Sequence, residues 1–290
     1  MIDRISFSVP GGVAPELENV TSSWGNQFKG SLKNMTVIQS PEGVFVTGSI
    51  AKYLQGENVT PLNRRTVKEA LALLASDTGW DLSKAELKQI EVGTTLPVSR
   101  PPSDYLNNWG VVPRFKKMTC QRRFLETVTY STGNRSFSGY DKRAESKMIP
   151  PIYSDNNLIR LELKYKRGLK SYFHKTLSPL DLIDQEIYKI LIQKWQDFYF
   201  SIPKGRKPVL DISGIVTPKD LDKILRLSGM KAFGDRYIGF INTLEEKGIL
   251  GRVQAGRARK TAREIWSDPK ISEPDDYTFE LDSLVRALAK

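Results

Sequence analysis

The segment Leu158–Lys166 constrains the fold most, because apolar and charged side chains alternate along it from its second residue onward. A period of two is that of a β-strand, whose successive side chains point to opposite faces of a sheet. The apolar set is Ile159, Leu161, Leu163 and Tyr165, and the charged set is Arg160, Glu162, Lys164 and Lys166. This alternation predicts a sheet with one buried face and one charged face that is open to solvent.

Strand and helix signals divide the chain into two parts. Alternating segments and hairpin turn signals dominate up to Lys166, whereas helical periodicity and Ser-Pro or Thr-Pro helix starts dominate after Leu177. We therefore predict an α+β protein. Residues 1–202 form an antiparallel or mixed sheet with flanking helices, and residues 209–290 form a small helical region resembling a winged helix. The polar stretch Pro203–Pro208 is the predicted linker, and the sequence shows no internal repeat.

Positive charge is concentrated in one part of the chain. The 290 residues include 44 Lys+Arg and 33 Asp+Glu, a surplus of eleven, and Gly110–Lys175 alone holds fifteen basic against five acidic residues. Aromatic residues are interleaved with these cations. Cations release counterions from phosphates and rings stack on unpaired bases, so the segment predicts a nucleic-acid partner. The alternative is a solvated basic face whose aromatic residues belong to the core.

Cysteine and histidine usage limits the chemistry. Cys120 and His174 are the only residues of their types, which excludes an intrachain disulfide, a Cys-based zinc site and a double-histidine site. Cys120 is predicted to be a buried structural thiol. No phosphate-loop motif is present, so we expect no built-in ATP motor. Without a bilayer-spanning apolar run or a signal peptide, we expect a cytoplasmic protein with no membrane partner.

Two short motifs follow one another in the basic segment. Tyr140, Lys142 and Glu145 lie in FSGYDKRAE, and Arg160, Glu162 and Lys164 lie in the strand described above. Their order and spacing resemble the filamentous-phage gene II/gene X replication proteins and the staphylococcal rolling-circle plasmid initiators. The Ile-Asp start of the chain and the segment ELKQIEVGTTLPV also resemble early strands of these proteins. The resemblance covers roughly residues 1–200.

The resemblance implies a metal-dependent enzyme that nicks DNA at a specific site. Tyr140 is then the nucleophile, which leaves a 5′-phosphotyrosine link and a free 3′-OH, and Lys142 stabilises the phenolate or holds the phosphate. With no histidine pair available, carboxylates must bind the ion, which favours Mg²⁺ or Mn²⁺. The candidate ligands are Glu91, Glu145 and Glu162, although an aspartate is usual in the family at the position of Glu91.

The implied partners are a replication origin, either single-stranded or an extruded hairpin, and a host helicase and DNA polymerase. The candidate DNA-binding cations are Arg135, Arg143, Arg160, Lys164, Lys166 and Arg167. The C-terminal helices either contact DNA through the basic stretch 257–263 or form a homodimer.

Other interpretations stay open. Tyr153 is a rival nucleophile, and the charged strand residues could be ordinary surface ion pairs. The protein could also be a non-catalytic, sequence-specific DNA-binding regulator or an RNA-binding accessory protein. A carboxylate cluster close to Tyr140 would favour the enzyme over the regulator.

Overall fold

The structure, a computed structural model, describes residues 1–22, 27–121, 125–208, 217–233, 236–269 and 272–288. The chain forms two units, the first mainly Met1–Leu106 with Arg114–Ser201, and the second Asn107–Pro113 with Ile202–Ala287. The predicted start of the C-terminal region at residue 209 lies outside the described residues. A large antiparallel sheet and numerous helices confirm the predicted α+β class.

The first unit is built on a ten-stranded sheet in which all neighbouring strands run antiparallel. The strands are β1 (Ile2–Pro10), β2 (Glu18–Ser22), β3 (Phe28–Leu32), β4 (Met35–Ser40), β5 (Gly43–Ser49), β6 (Glu86–Val98), β7 (Lys116–Gln121), β8 (Leu125–Ser131), β9 (Arg135–Asp141) and β10 (Asn157–Tyr165). Their spatial order is β2-β3-β4-β5-β1-β6-β10-β9-β8-β7.

This order contains a repeat that the amino-acid sequence does not show. In the first half, β1 is followed by the meander β2–β5, whose last strand pairs with β1. In the second half, β6 is followed by the meander β7–β10, whose last strand pairs with β6. The halves meet at the antiparallel pair β1–β6, which we call the seam. The repetition is one of connectivity, so residue patterns alone did not reveal it.

Helices connect and cover the strands of this unit. They are α1 (Ile50–Gln55), α2 (Arg64–Thr78), α3 (Pro102–Leu106), α4 (Lys142–Glu145), α5 (Leu169–Phe173) and α6 (Gln185–Ser201), with 3₁₀ turns at Pro151–Tyr153 and Pro179–Ile183. Helical spacing of the apolar residues in 64–78, with Pro61 near the start and Gly79 just past the end, predicts a helix from the sequence. The structure confirms it as α2, with Asn63 as its N-cap and Gly79 in the left-handed region after its end.

The sequence predicts one helix at roughly 179–200, with Ser178 as N-cap and Pro179 as its first residue, but the structure divides this segment in two. Ser178 and Asp181 form a capping box on the 3₁₀ turn, and the side chain of Asp184 then accepts from the backbone of Glu186 and Ile187. This second cap starts α6 afresh, because capped backbone N–H groups define a new helix N-terminus.

Helix α6 packs on the apolar face of the sheet. The Trp195 indole Nε1 donates to the Leu161 carbonyl at 3.3 Å, and the Phe198 ring stacks on Phe137 with centroids 4.8 Å apart. Leu161 and Phe137 are fully buried there. The polar residues of these strands therefore lie on the opposite face.

Trp195→Ala is expected to lower the free energy of unfolding by about 3–5 kcal/mol, because it empties a large buried volume and orphans the Leu161 carbonyl. Urea denaturation would measure the loss. Ile190→Ala on the same helix, where the side chain is 41% exposed, is the control and should cost less than about 1 kcal/mol. Equal losses for the two variants would contradict the assigned core.

The second unit is mostly helical. Its elements are β11 (Arg206–Pro208), α7 (Pro218–Phe233), α8 (Arg236–Glu246), α9 (Arg252–Ser267), β12 (Ser272–Pro274) and α10 (Asp276–Ala287). A small core joins α7 and α9 through Leu227, Met230, Ala262 and Ile265. The basic stretch 257–263 lies within α9. Among the described residues, no helix combines the length and apolar character needed to cross a bilayer.

Candidate active site

The polar face of the sheet brings the two sequence motifs together. In the strand register, Glu162 on β10 lies opposite Ser138 on β9, and Arg160 lies opposite Tyr140. Residues that face each other in an antiparallel pair project to the same side of the sheet. Tyr140 and Glu162 therefore share the polar face, and the Tyr140 hydroxyl donates to Glu162 Oε1 at 2.8 Å.

Three carboxylates form a cluster on this face. One oxygen each from Asp3, Glu91 and Glu162 lie within 4.8 Å of one another. Such a set of hard oxygen donors suits Mg²⁺ or Mn²⁺. The cluster thus includes two of the three predicted ligands, Glu91 and Glu162, and adds Asp3 in place of Glu145.

Asp3 reaches the cluster because of a β-bulge. Ile2 pairs with Val92 and Arg4 pairs with Glu91, so Asp3 is an extra residue without a partner on β6. A bulge breaks the alternation of side chains and re-aims the extra residue. Strict alternation along β1 therefore did not identify Asp3. The available signal was an aspartate next to the apolar Ile2, within the Ile-Asp segment that carries part of the family resemblance.

Arg160 lies between two carboxylates of the cluster and forms an ion pair with each of them. Its guanidinium pairs with Asp3, donates to Glu162 Oε1 at 2.8 Å and donates to Thr95 Oγ1 at 3.1 Å. Burial alone would lower the pKa of Arg160, but the charges of Asp3 and Glu162 keep that pKa above its ordinary value. Arg160 was a predicted DNA contact, but its side chain is only 1% exposed, which leaves the guanidinium facing carboxylates.

Glu91 is a carboxylate of the cluster whose ionisation is disfavoured by its surroundings. Burial raises the pKa of Glu91 to about 7, and repulsion from Glu162 and Asp3 adds to the shift. Lys164 Nζ, 3.6 Å from Glu91 Oε2, offsets only part of it. Buried like charges of this kind are typical of sites that bind a cation or move a proton.

Tyr140 lines an open pocket of about 410 Å³. The other lining residues are Cys120, Glu126, Thr127, Ser138, Asp141, Ala144, Glu145 and Glu162. This volume is within the range of about 300–1,000 Å³ that is usual for small-ligand sites. Burial raises the pKa of Tyr140 well above that of a free phenol, and the charge of Glu162 raises it further. The hydroxyl is thus protonated and points at a carboxylate.

Lys142 lies beside Tyr140 but not on the strand. Side-chain alternation in the sequence predicts that Tyr140 and Lys142 lie on the same face of one strand. In the structure β9 ends at Asp141, whose side chain caps α4. Lys142 is the first residue of α4, and its side chain is 0% exposed. Its Nζ lies 5.9 Å from the Tyr140 ring centroid and donates to Glu145 Oε2 at 2.6 Å. Glu145 is therefore bound to Lys142 at the pocket wall rather than within the carboxylate cluster.

The remaining predicted DNA contacts have different environments. The Arg135 guanidinium lies 5.1 Å from the Phe115 ring centroid and 5.7 Å from that of Tyr172, so it is stacked among aromatic rings. Arg143 donates to backbone carbonyls of the 3₁₀ turn region, at Tyr153, Ser154 and Asn156. Lys164 pairs with Glu91, Lys166 is half-buried and Arg167 is exposed. Of the predicted set, Arg143 and Arg167 are exposed, and Arg143 is held by the backbone carbonyls that it binds.

Two further predictions concern the same region. Cys120, predicted to be buried, is exposed and lines the pocket. It lies on β7 opposite Thr127, at the outer edge of the sheet, where no further strand among the described residues covers it.

Tyr153, the rival nucleophile, lies in the 3₁₀ turn Pro151–Tyr153 and is not among the residues that line the pocket.

Tyr140 links the pocket to the polar groups behind it. Tyr140 and its hydrogen-bond partner Glu162 both line the pocket, whereas the other two carboxylates of the cluster and Lys142 contact these groups without lining it. Comparison with known proteins adds no family, because no protein-family model and no curated protein matches this sequence.

Proposed function

We propose that this chain is a metal-dependent DNA-nicking enzyme that initiates rolling-circle replication, with Tyr140 as its nucleophile. The observation that carries the proposal is the hydrogen bond from Tyr140 to Glu162, a member of the carboxylate cluster, at the edge of an open pocket. A tyrosine in a purely structural role would not need a cluster of buried and half-buried carboxylates beside it.

In this mechanism the Tyr140 oxygen attacks the phosphorus of a DNA phosphodiester. A bond forms between the phenol oxygen and phosphorus, and the bond from phosphorus to the 3′ oxygen breaks. The products are a 5′-phosphotyrosine and a 3′ oxygen that takes up a proton. Glu162 Oε1, 2.8 Å from the hydroxyl, is the acceptor that faces the phenol proton. The charge of Arg160 lowers the pKa of Tyr140 and so favours the phenolate, and we propose that the buried Lys142 ammonium, 5.9 Å from the ring centroid, adds to this effect.

The carboxylate cluster is the proposed site for Mg²⁺ or Mn²⁺, held by Asp3, Glu91 and Glu162. A bound divalent ion supplies charge that stabilises negative oxygen atoms during phosphoryl transfer. Arg160 keeps Asp3 and Glu162 in place by pairing with both. Lys164, next to Glu91, and the exposed Arg167 are the predicted cations that best fit contact with the DNA backbone.

DNA is the proposed substrate because the charge surplus of eleven is almost entirely in the segment that contains Tyr140 and β10. In rolling-circle replication the freed 3′-OH primes a host DNA polymerase and a host helicase unwinds the duplex. The competing proposal is a non-catalytic DNA-binding regulator. It is favoured by α9, which carries several basic residues in the second unit and could bind phosphates without any chemistry.

The test uses 3′-labelled single-stranded oligonucleotides tiled across the replicon that carries the gene. The 3′ label stays with the fragment that is joined to tyrosine. With Mn²⁺ or Mg²⁺ we expect one oligonucleotide to give a labelled protein band that withstands denaturing electrophoresis and is lost with EDTA. Tight binding of an oligonucleotide without an adduct, across the whole replicon, would exclude the enzyme and support the regulator.

Gly93→Ala is expected to disrupt the carboxylate cluster. Gly93 lies opposite Glu162, and a Cβ atom there would meet Glu162 Cγ at 2.8 Å and the Leu161 carbonyl at 3.2 Å. Glu162 must then move, so Mn²⁺ affinity measured by calorimetry should fall about 10-fold or more. Gly133→Ala, where a Cβ meets nothing within 4 Å, is the control and should bind Mn²⁺ like the wild type. Unchanged affinity in Gly93→Ala would argue against Glu162 as a ligand.

A further inference from the structure

Asn58, in the loop between α1 and α2, connects the carboxylate cluster with the surroundings of the nucleophile. Its Nδ2 donates to Asp3 Oδ2 at 3.0 Å, and its Oδ1 accepts from Lys142 Nζ at 3.0 Å. Its backbone carbonyl accepts from the Arg160 guanidinium. One residue thus contacts a carboxylate of the cluster, the arginine within it and the lysine beside the Tyr140 ring.

The two ends of the Asn58 amide match two groups of opposite charge. Asp3 offers only acceptors and the Lys142 ammonium offers only donors, so a side chain between them must donate at one end and accept at the other. An asparagine does both. An apolar side chain of similar size would serve neither group, and an aspartate would face Asp3 with a like charge.

The loop that carries Asn58 is fixed at both sides of this residue. The Glu57 carboxylate accepts from the backbone N–H groups of Val59 and Thr60, and Gln55 Nε2 donates to the Thr60 carbonyl at 2.8 Å. Val59 is fully buried. The amide is therefore held in place by local structure and does not depend on its partners for its position.

Asp3 depends on such partners for its orientation. It lies on a bulge, outside the regular ladder, and its two oxygens are engaged from three sides by Ser49, Asn58 and Arg160. Groups that hydrogen-bond to a metal ligand set the direction of its lone pairs. Of the three, Asn58 alone also contacts Lys142.

We propose that Asn58 is a positioning residue that orients Asp3 for metal binding and holds the Lys142 ammonium beside Tyr140. This inference rests on the proposed function. It adds a residue that neither motif contains, in the first half of the sheet unit, far in sequence from Tyr140. Asn58 acts through Asp3 and Lys142, and it touches neither the metal nor the phosphate.

The test compares Asn58→Leu with the wild type in two measurements. Mn²⁺ affinity from calorimetry is expected to fall about 10–100-fold, the usual effect of losing a partner of a metal ligand. The rate of adduct formation at saturating Mn²⁺ is expected to fall at least 10-fold further, because Lys142 loses a hydrogen bond that holds it beside the ring. If Asn58→Leu does not fold, Asn58→Ala replaces it, and we expect the same losses of Mn²⁺ affinity and adduct rate.

Asn63→Ala is the matched control for a loop effect. Asn63 caps α2 at the end of the same loop, and its loss should lower Tm by about 2–4 °C without changing Mn²⁺ affinity. If Asn58→Leu lowers Tm but binds Mn²⁺ within two-fold of the wild type, Asn58 is only structural and the proposal fails. A wild-type protein that binds no Mn²⁺ would also overturn it.

The calorimetric measurement separates this proposal from the proposed function. A wild type that binds Mn²⁺ but forms no adduct would exclude nicking, and the difference in Mn²⁺ affinity would still support Asn58 as a positioning residue. An adduct in the wild type, with equal Mn²⁺ affinity and adduct rate in Asn58→Leu, would exclude the Asn58 role and leave the nicking enzyme intact.

Discussion

Tyr140→Phe is expected to abolish the covalent protein–DNA adduct, with a rate at least about 10⁴-fold below that of the wild type. Loss of a catalytic nucleophile has effects of this size. The phenyl ring can still lie beside Lys142 and fill the same space, so fold and DNA affinity should change little. Denaturing electrophoresis of the 3′-labelled DNA measures the adduct, and fluorescence anisotropy measures DNA binding.

Tyr153→Phe is the matched control for this experiment. Tyr153 lies in the 3₁₀ turn and does not line the pocket, so its variant should form the adduct at the wild-type rate. An adduct that survives in Tyr140→Phe and disappears in Tyr153→Phe would transfer the nucleophile to Tyr153. An adduct that survives in both variants would exclude both tyrosines.

Glu91→Gln is expected to stabilise the metal-free protein at pH 8 while it abolishes metal-dependent activity. Burial, together with repulsion from Glu162 and Asp3, raises the folded-state pKa of Glu91 from its ordinary value of 4.5 to about 7. The folded state thus binds more protons than the unfolded state between these values, and stability falls as pH rises from 4.5 through 7. Glutamine cannot ionise, so above pH 7 the free energy of unfolding of the variant should exceed that of the wild type by about 1–3 kcal/mol.

Urea denaturation at pH 5 and pH 8 measures this effect. We expect a gain for Glu91→Gln at pH 8 that shrinks towards pH 5. Adding Mn²⁺ should stabilise the wild type and leave the variant unchanged. Glu86→Gln, on the same strand but exposed and paired with Lys88 at 2.7 Å, is the control and should show no gain at pH 8. A variant less stable than the wild type at pH 8 would mean that the Lys164 pair outweighs the burial of Glu91.

The parts of the site on regular strands were predictable from the sequence. Tyr140 and Glu162 share a face because β9 and β10 are uninterrupted strands, in which a period of two fixes the side of each residue. The same alternation separates Glu91 from the apolar Ile90 and Val92 on β6, whereas the proposed role of Glu91 as a ligand came from the family resemblance. Helix α2 was predictable because its apolar residues have helical spacing, with Pro61 near its start and Gly79 just past its end.

The parts that depend on interruptions or on distant contacts were not predictable. A bulge brings Asp3 to the polar face, and a helix cap at Asp141 takes Lys142 off the strand. Alternation predicted correctly that Arg160 lies on the charged face, but it did not predict that Arg160 is buried. Its burial depends on Asp3 and Asn58, which lie far away in the sequence. A periodic pattern indicates a face, whereas exposure on that face depends on what else folds over it.

The seam between β1 and β6 has a consequence for how the protein folds. Each meander is closed by hairpins between strands adjacent in sequence, whereas the seam joins strands far apart in sequence. Local hairpins form before such distant pairings, because closing a long loop costs more chain entropy. Asp3 and Asn58 come from the first half, and Glu91, Tyr140 and Glu162 come from the second. The Tyr140 hydroxyl and the complete carboxylate cluster therefore meet only when the two halves have joined, so the proposed nicking site would be complete only late in folding.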